Sequence, residues 1–187
     1  LSKSKNLFLV GPMAVGKTTI GKMLARELHL QFIDSDHEIE KKAGAEISWI
    51  FDVEGEEGFR ERESSVIDEL TLRSGVLLAT GGGSILRKEN RRNLQSRGIV
   101  VFLDTSLDTQ IKRTAKDKKR PLLQNTDHRK VLSELKAHRD PMYQEVADIK
   151  MFVGDGNSRK TVAGIIRQLK SDGLGIGLDP VQAFADP

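Results

Sequence analysis

The stretch that decides the fold reads Leu7-Phe8-Leu9-Val10-Gly11-Pro12-Met13-Ala14-Val15-Gly16-Lys17-Thr18-Thr19-Ile20. A short apolar run enters the pattern G-x-x-x-x-G-K-[ST]. After it, Ile20, Met23, Leu24 and Leu28 recur at i, i+3, i+4 and i+8, which puts them on one helix face. A strand, a glycine-bounded turn and an amphipathic helix are the context in which this pattern binds phosphate. The glycines allow the tight turn, backbone N–H groups converge on phosphate oxygens, and the helix dipole adds positive potential. Lys17 is expected to reach the β and γ phosphates and Thr18 to ligate magnesium. Ala14, Val15, Gly16 and Thr19 complete the loop's nucleotide contacts. ATP or GTP with Mg²⁺ is implied. The competing reading is a plain turn with an incidental lysine, and the two correct flanks weigh against it.

Outward from this loop, Leu7 to Val10, Gln31 to Ile33, Val76 to Ala79, Ile99 to Leu103 and Ile149 to Val153 read as strands. They are continuous apolar runs, as burial on both faces of a sheet demands. Val162, Ile165, Ile166 and Leu169 form a second amphipathic helix face. Strands alternating with helices predict a parallel α/β sheet flanked by helices. Glu46 to Arg73 has helical spacing without a strand and reads as a helical excursion. Thr114 to Asp127, polar and interrupted by Pro121, reads as a mobile loop. One domain is expected over residues 1–172, with a glycine-rich, disordered tail over 173–187.

Composition removes several classes. The 187 residues contain no cysteine, which excludes disulfides, thiolate nucleophiles and Cys-based metal sites and fits a cytoplasmic location. The longest apolar run, Ile99 to Leu103, is far short of the roughly 20 residues that cross a bilayer. No membrane association is expected, and the basic N-terminus leads into too short an apolar stretch for a signal peptide. The net charge is +3 and aromatic residues are 5% of the chain, a poor match to a nucleic-acid-binding surface. The positive charge is local. Lys112 to Arg120 holds six basic residues and one acidic residue, so the remainder is mildly acidic. Beside a phosphate site, that run reads as a basic lid rather than a solvated loop, with Arg120 able to stabilise charge on a transferred phosphoryl group.

Two further clusters point to chemistry. Asp34 and Asp36 lie at the end of the second strand, where i and i+2 share a face of an extended segment. A metal-nucleotide or a hydroxylic substrate would relieve their repulsion. Alternatively Ser35-x-x-Glu38 forms a capping box that starts a helix, and the two readings are compatible. Gly81-Gly82-Gly83 follows a strand and lets a ligand approach the main chain. His29, His37, His128 and His138 lack metal-ligand spacing and read as surface or satisfied residues, and Trp49 and Tyr143 are expected to be packing residues.

Together these residues resemble shikimate kinase, in particular the bacterial type I enzymes. The resemblance runs from about Asn6 to Leu169. Its pieces are Leu9 to Thr18, Asp34-Ser35-Asp36, Glu56 to Glu63, Ala79 to Ser84, Asp117 to Leu123 and Arg139-Asp140-Pro141-Met142-Tyr143. It implies transfer of the ATP γ-phosphoryl group to the 3-hydroxyl of shikimate. It also implies a P-loop, nucleoside-monophosphate-kinase-like fold with sheet order 2-3-1-4-5, a shikimate-binding region over about 35–73 and a lid over about 114–127. Under the resemblance Asp36 holds the substrate hydroxyls and accepts the 3-OH proton, while Arg60 and Arg139 grip the carboxylate. The backbone at Gly81, Gly82 and Gly83 meets the substrate. Asp34 supports Mg²⁺ through water, Arg120 reaches the phosphates and Arg113 stacks on adenine. A monomer is expected. Many relatives carry glycine where this chain has Ala14-Val15, a departure expected to alter loop flexibility and spare the phosphate contacts. The alternatives are a related small-molecule kinase such as gluconate kinase, and a nucleotide-responsive binding module without transfer activity.

Overall fold

All four residues of β1 (Leu7–Val10) are buried, and the strand has a parallel neighbour on each side. The computed structural model describes residues 6–115, 127–156 and 158–174. The other strands are β2 (Gln31–Asp34), β3 (Val76–Ala79), β4 (Ile99–Asp104) and β5 (Ile149–Phe152), all parallel in the order β2-β3-β1-β4-β5. The helices are α1 (Lys17–Glu27), α2 (Ser35–Ala43), α3 (Ile47–Thr71), α4 (Lys88–Arg97), α5 (Leu107–Thr114), α6 (His128–Val146) and α7 (Ser158–Ser171).

The apolar runs alternate between two cores. Leu7 and Leu9 of β1, with Val101 and Leu103 of β4, pack against Ile20 and Leu24 of α1 and Ile165 and Leu169 of α7. Phe8, Val10, Val100 and Phe102 turn the other way, against Val66 and Leu70 of α3, Leu94 of α4, and Tyr143 and Val146 of α6. Each fully buried side chain of this size contributes roughly 1.5–3 kcal/mol, so the two faces carry most of the stabilisation. In such a sheet the ligand crevice lies beyond the carboxyl ends of the strands, where connections diverge to opposite sides. Here that point is the end of β1.

The chain turns there at Gly11, with φ +146°. A Cβ on Gly11 would lie 2.2 Å from the carbonyl oxygen of Leu103, so only glycine lets the loop pass β4 this closely.

Several expectations need correction. Asp36 does not continue the strand. It sits in the first turn of α2, and the helix is capped by Asp34, whose carboxylate accepts from the Asp36 N–H at 3.0 Å. Ser35 is therefore not the cap; its hydroxyl accepts from Gly81 N–H instead. A tertiary bond has claimed the side chain that a capping box would use. Trp49 is 54% exposed rather than a core residue. The helical excursion expected over Glu46 to Arg73 is α3, broken by Gly55 at φ +71°, and α2 precedes it. At the other end, Gly173 (φ +65°) and Leu174 are ordered. Their N–H groups bond to Lys170 and Leu169 carbonyls, closing α7 by the usual glycine C-cap geometry, and Leu174 packs on the core. The expected tail from 175 onward lies outside the described residues. So does most of the expected lid: Thr114 ends α5 and Asp127 caps α6, while 116–126 are not described.

The opposite edge of the sheet is fastened by Asn6. Its Nδ2 donates to the Arg73 carbonyl at 2.6 Å and its Oδ1 accepts from Val76 N–H, tying the entrance of β1 to the entrance of β3. Asn6→Ala strands these buried groups. Urea unfolding should show a loss of about 2–3 kcal/mol.

Candidate active site

Gly16 (φ +104°) precedes α1, and no side chain caps that helix. Its first N–H groups are left to a cavity of about 330 Å³ bordered by Ala14, Gly16, Lys17, Thr18, Thr19 and Arg113. Lys17 Nζ donates to the carbonyls of Gly11 (2.7 Å) and Pro12 (2.8 Å), which holds the ammonium at the mouth of the loop. Thr18 Oγ1 donates to Asp34 Oδ2 at 2.9 Å, joining the start of α1 to the end of β2. The Val15 side chain is in the core, so only its backbone borders the loop.

Ala14 adopts φ +60°, a left-handed conformation that costs a residue with a Cβ about 1–2 kcal/mol. The loop is held in this shape by Arg113. One guanidinium nitrogen donates to the Ala14 and Val15 carbonyls (3.1 Å each) and another to Gly154 (2.8 Å). These bonds lie in the guanidinium plane and leave its faces available for stacking.

The second cavity, about 110 Å³, lies between α3, α6 and the loop after β3. Met13, Ile47, Phe51 and Phe59 supply apolar walls, while Asp36, Arg60, Glu63 and Arg139 supply charge. Arg60 NH1 donates to Glu63 Oε2 at 2.7 Å, and its NH2 donates to Glu56 at 3.1 Å. Burial pushes the Glu63 carboxyl up, against the pull of Arg60, and the Asp36 charge adds to the rise. Arg139 is also buried. Desolvation lowers its pKa, the like charge of Arg60 works in the same direction, its Nε has no hydrogen-bond partner, and no carboxylate lies within ion-pair distance among the described residues. A buried cation in that position is stabilised by an anionic ligand.

The three glycines divide the work between them. A Cβ on Gly81 would come within 2.7 Å of Asp36 and 2.9 Å of Glu63, and one on Gly83 within 2.4 Å of the Arg60 guanidinium. These two are glycine because the protein's own charged groups press on them. A Cβ on Gly82 would meet only ordinary contacts, the nearest 3.4 Å away, and the position borders both cavities.

Asp36, Gly81, Gly82 and Met13 line both cavities, so the phosphate loop and the Arg60/Arg139 pocket open onto one another. Of the residues expected from sequence, Lys17, Thr18, Asp34, Asp36, Arg60, Gly81 to Gly83, Arg113 and Arg139 are brought together here; Arg120 lies outside the described residues. Sequence reasoning passed over Glu63, whose signal was its i, i+3 spacing from Arg60, and read Tyr143 as a packing residue, which it is, without its hydroxyl's bond to the Gly82 carbonyl. It also passed over Lys136, which bridges Asp104 (2.7 Å) and Asp140 (2.8 Å) and pins α6 to the end of β4.

A phosphate loop after the central strand of a 2-3-1-4-5 parallel sheet, with a charged pocket opening beside it, defines a P-loop kinase acting on a small molecule. Residues 13–170 match the family model described as shikimate kinase. The shikimate kinases of Buchnera aphidicola (54% identical) and Vibrio cholerae (52%) are matched over 91% of this chain and nearly all of theirs, 99% and 98%. The solved shikimate kinase of Acinetobacter baumannii in complex with shikimate is 48% identical, with TM-score 0.89 over 93% of this chain and 97% of that one. The chain belongs to the shikimate kinase family, whose members are ATP-dependent phosphotransferases. A gluconokinase of Sinorhizobium meliloti, at 15% identity and TM-score 0.56, shares the fold alone.

The glycine analysis yields a paired test. Gly83→Ala should lower the thermal midpoint, because Arg60 must leave its Glu63 pair to admit the methyl group. Gly82→Ala should melt within a few degrees of the parent and raise KM for the acceptor. Equal melting losses in both variants would contradict this division.

Proposed function

We propose a residue-level account of shikimate phosphorylation. The enzyme transfers the γ-phosphoryl group of ATP to the 3-hydroxyl of shikimate, releasing ADP and 3-phosphoshikimate. The observation that carries this reading is the junction of the two cavities at Asp36, which sets a hydroxyl bound in one beside a phosphate bound in the other.

The acceptor's carboxylate fits the Arg60 and Arg139 guanidinium groups, since Arg139 is a buried cation with no ion pair among the described residues and a planar fork binds a carboxylate bidentately. Its ring packs against Ile47, Phe51 and Phe59, and its hydroxyls face Asp36 and the Gly81–Gly83 backbone. The 3-hydroxyl oxygen then bonds to the γ phosphorus as the bond to the ADP oxygen breaks, and its proton passes to Asp36. Positioning and charge stabilisation supply most of the acceleration in such a transfer, so Asp36 acts first as an orienting acceptor and second as a base. Lys17 and the α1 N-terminus stabilise the phosphates, Arg113 stacks on the adenine, and Arg120 is assigned to the phosphates by the family resemblance alone.

Thr18 and Asp34 fit Mg²⁺. They are hard oxygen donors 2.9 Å apart beside the phosphate loop, and no group of three acidic or histidine ligands occurs among the described residues, as suits an ion held largely by phosphate and water. When bound, Mg²⁺ neutralises charge on the β and γ phosphates. No described helix is long and apolar enough to cross a membrane. We assign the enzyme to the cytoplasm, as its use of ATP supports, and propose that it acts as a monomer.

In a coupled assay, MgATP with shikimate should release ADP far above the no-acceptor control, and gluconate should not substitute. Lys17→Ala should abolish turnover. Arg139→Ala should lower kcat/KM for shikimate by about a hundredfold or more, as expected when a buried charge-assisted contact is lost. Parental kcat/KM in that variant would remove the carboxylate assignment.

A further inference from the structure

Tyr143 is fully buried on α6, stacked on Phe102 of β4 with ring centroids 5.0 Å apart. Packing alone would be served as well by phenylalanine, yet the hydroxyl makes a bond of its own. It donates to the Gly82 carbonyl, and Arg139 lies beside the same loop, one guanidinium nitrogen 3.7 Å from where a Cβ on Gly82 would stand. A single phenol oxygen thus ties α6 to the glycine loop next to the buried arginine.

The bond to Gly82 has a directional consequence. No peptide among the described residues is cis. In a planar trans peptide the carbonyl and the following N–H point in opposite directions, so fixing the Gly82 carbonyl on Tyr143 turns the Gly83 N–H away from it. Gly83 borders the acceptor cavity and Tyr143 does not. Among the described residues that N–H has no protein acceptor. The carbonyls on either side, Gly81 and Gly83, are held by the Ser84 and Leu86 N–H groups, and the Gly82 carbonyl between them is held by the Tyr143 hydroxyl.

We propose that Tyr143 is a positioning residue for the acceptor, its hydroxyl setting the orientation of the Gly82–Gly83 peptide beside the Arg139 guanidinium. The inference rests on the acceptor-site reading above. Phe102 takes part only in the stacking, and the Lys136 bridge to Asp104 and Asp140 holds α6 in place independently of the hydroxyl. The two contributions of Tyr143 are therefore separable.

The test compares Tyr143→Phe with Phe102→Leu in steady-state kinetics, varying shikimate and ATP separately, alongside thermal unfolding. Tyr143→Phe keeps the ring and loses the hydroxyl. KM for shikimate should rise about tenfold or more while KM for ATP stays within about twofold, a split that loss of packing does not produce. Phe102→Leu keeps the hydroxyl and should melt earlier with KM for shikimate unchanged. The proposal is overturned if Tyr143→Phe retains the parental KM for shikimate, if both KM values rise together, or if Phe102→Leu reproduces the shikimate effect. Should Tyr143→Phe show no cooperative unfolding transition, Phe102→Leu decides: an unchanged KM for shikimate supports the proposal and a raised one overturns it. A parent enzyme that releases no ADP in response to shikimate overturns the acceptor-site reading itself.

Discussion

Because β1 is hydrogen-bonded on both edges and packed on both faces, the chain leaving it can only fold back over the carboxyl end of the sheet. Every functional feature depends on that exit. Gly11 passes within reach of the Leu103 carbonyl, Gly16 turns the chain into α1, and the helix arrives with its N-terminal donors directed at the cavity. The loop after β3, the next strand over, ends at the same level and brings Gly81 to Gly83 beside it. A sheet with β1 at an edge would set these two loops apart and divide phosphate from acceptor.

Electrostatics then assigns different work to the two cavities. The phosphate side is partly open and gathers positive potential from backbone donors and Lys17. The acceptor side buries its charges, and burial there imposes order: Arg60 is held by Glu63 and Glu56, the Glu63 carboxyl is pushed up by desolvation, and Arg139 carries a charge with no carboxylate in ion-pair range among the described residues. Under the proposed assignment, such an arrangement favours a ligand that carries its own carboxylate over neutral polyols that offer hydroxyls alone.

The strands, the phosphate loop, α1 and α7 were legible because each rests on a spacing that few other structures tolerate. α4 was not. Its buried positions include Asn90 and Asn93, whose side chains bond to the Ser84 carbonyl and to Asp68, so the helix shows Leu94 as its single apolar anchor. The cap of α2 was misread by one residue because Asp34 and Ser35 can both cap, and the choice was made by Gly81, distant in sequence. The site was half legible. Lys17, Thr18 and the aspartates follow from local pattern, whereas Arg60 and Arg139 were selected from the chain's arginines only by family resemblance. Glu63 lay hidden in a run of charged residues, and nothing about a lone tyrosine in a polar stretch announces that its hydroxyl reaches Gly82.

The exposed Trp49 has an optical consequence. It is the chain's single tryptophan, and it stands on α3 between Ile47 and Phe51, which wall the acceptor cavity, while the residue itself is 54% exposed. Indole emission excited at the red edge thus comes from one known place. It reports on the acceptor segment with no contribution from the phosphate loop, so the protein carries a built-in fluorophore that can watch one half of its active site alone.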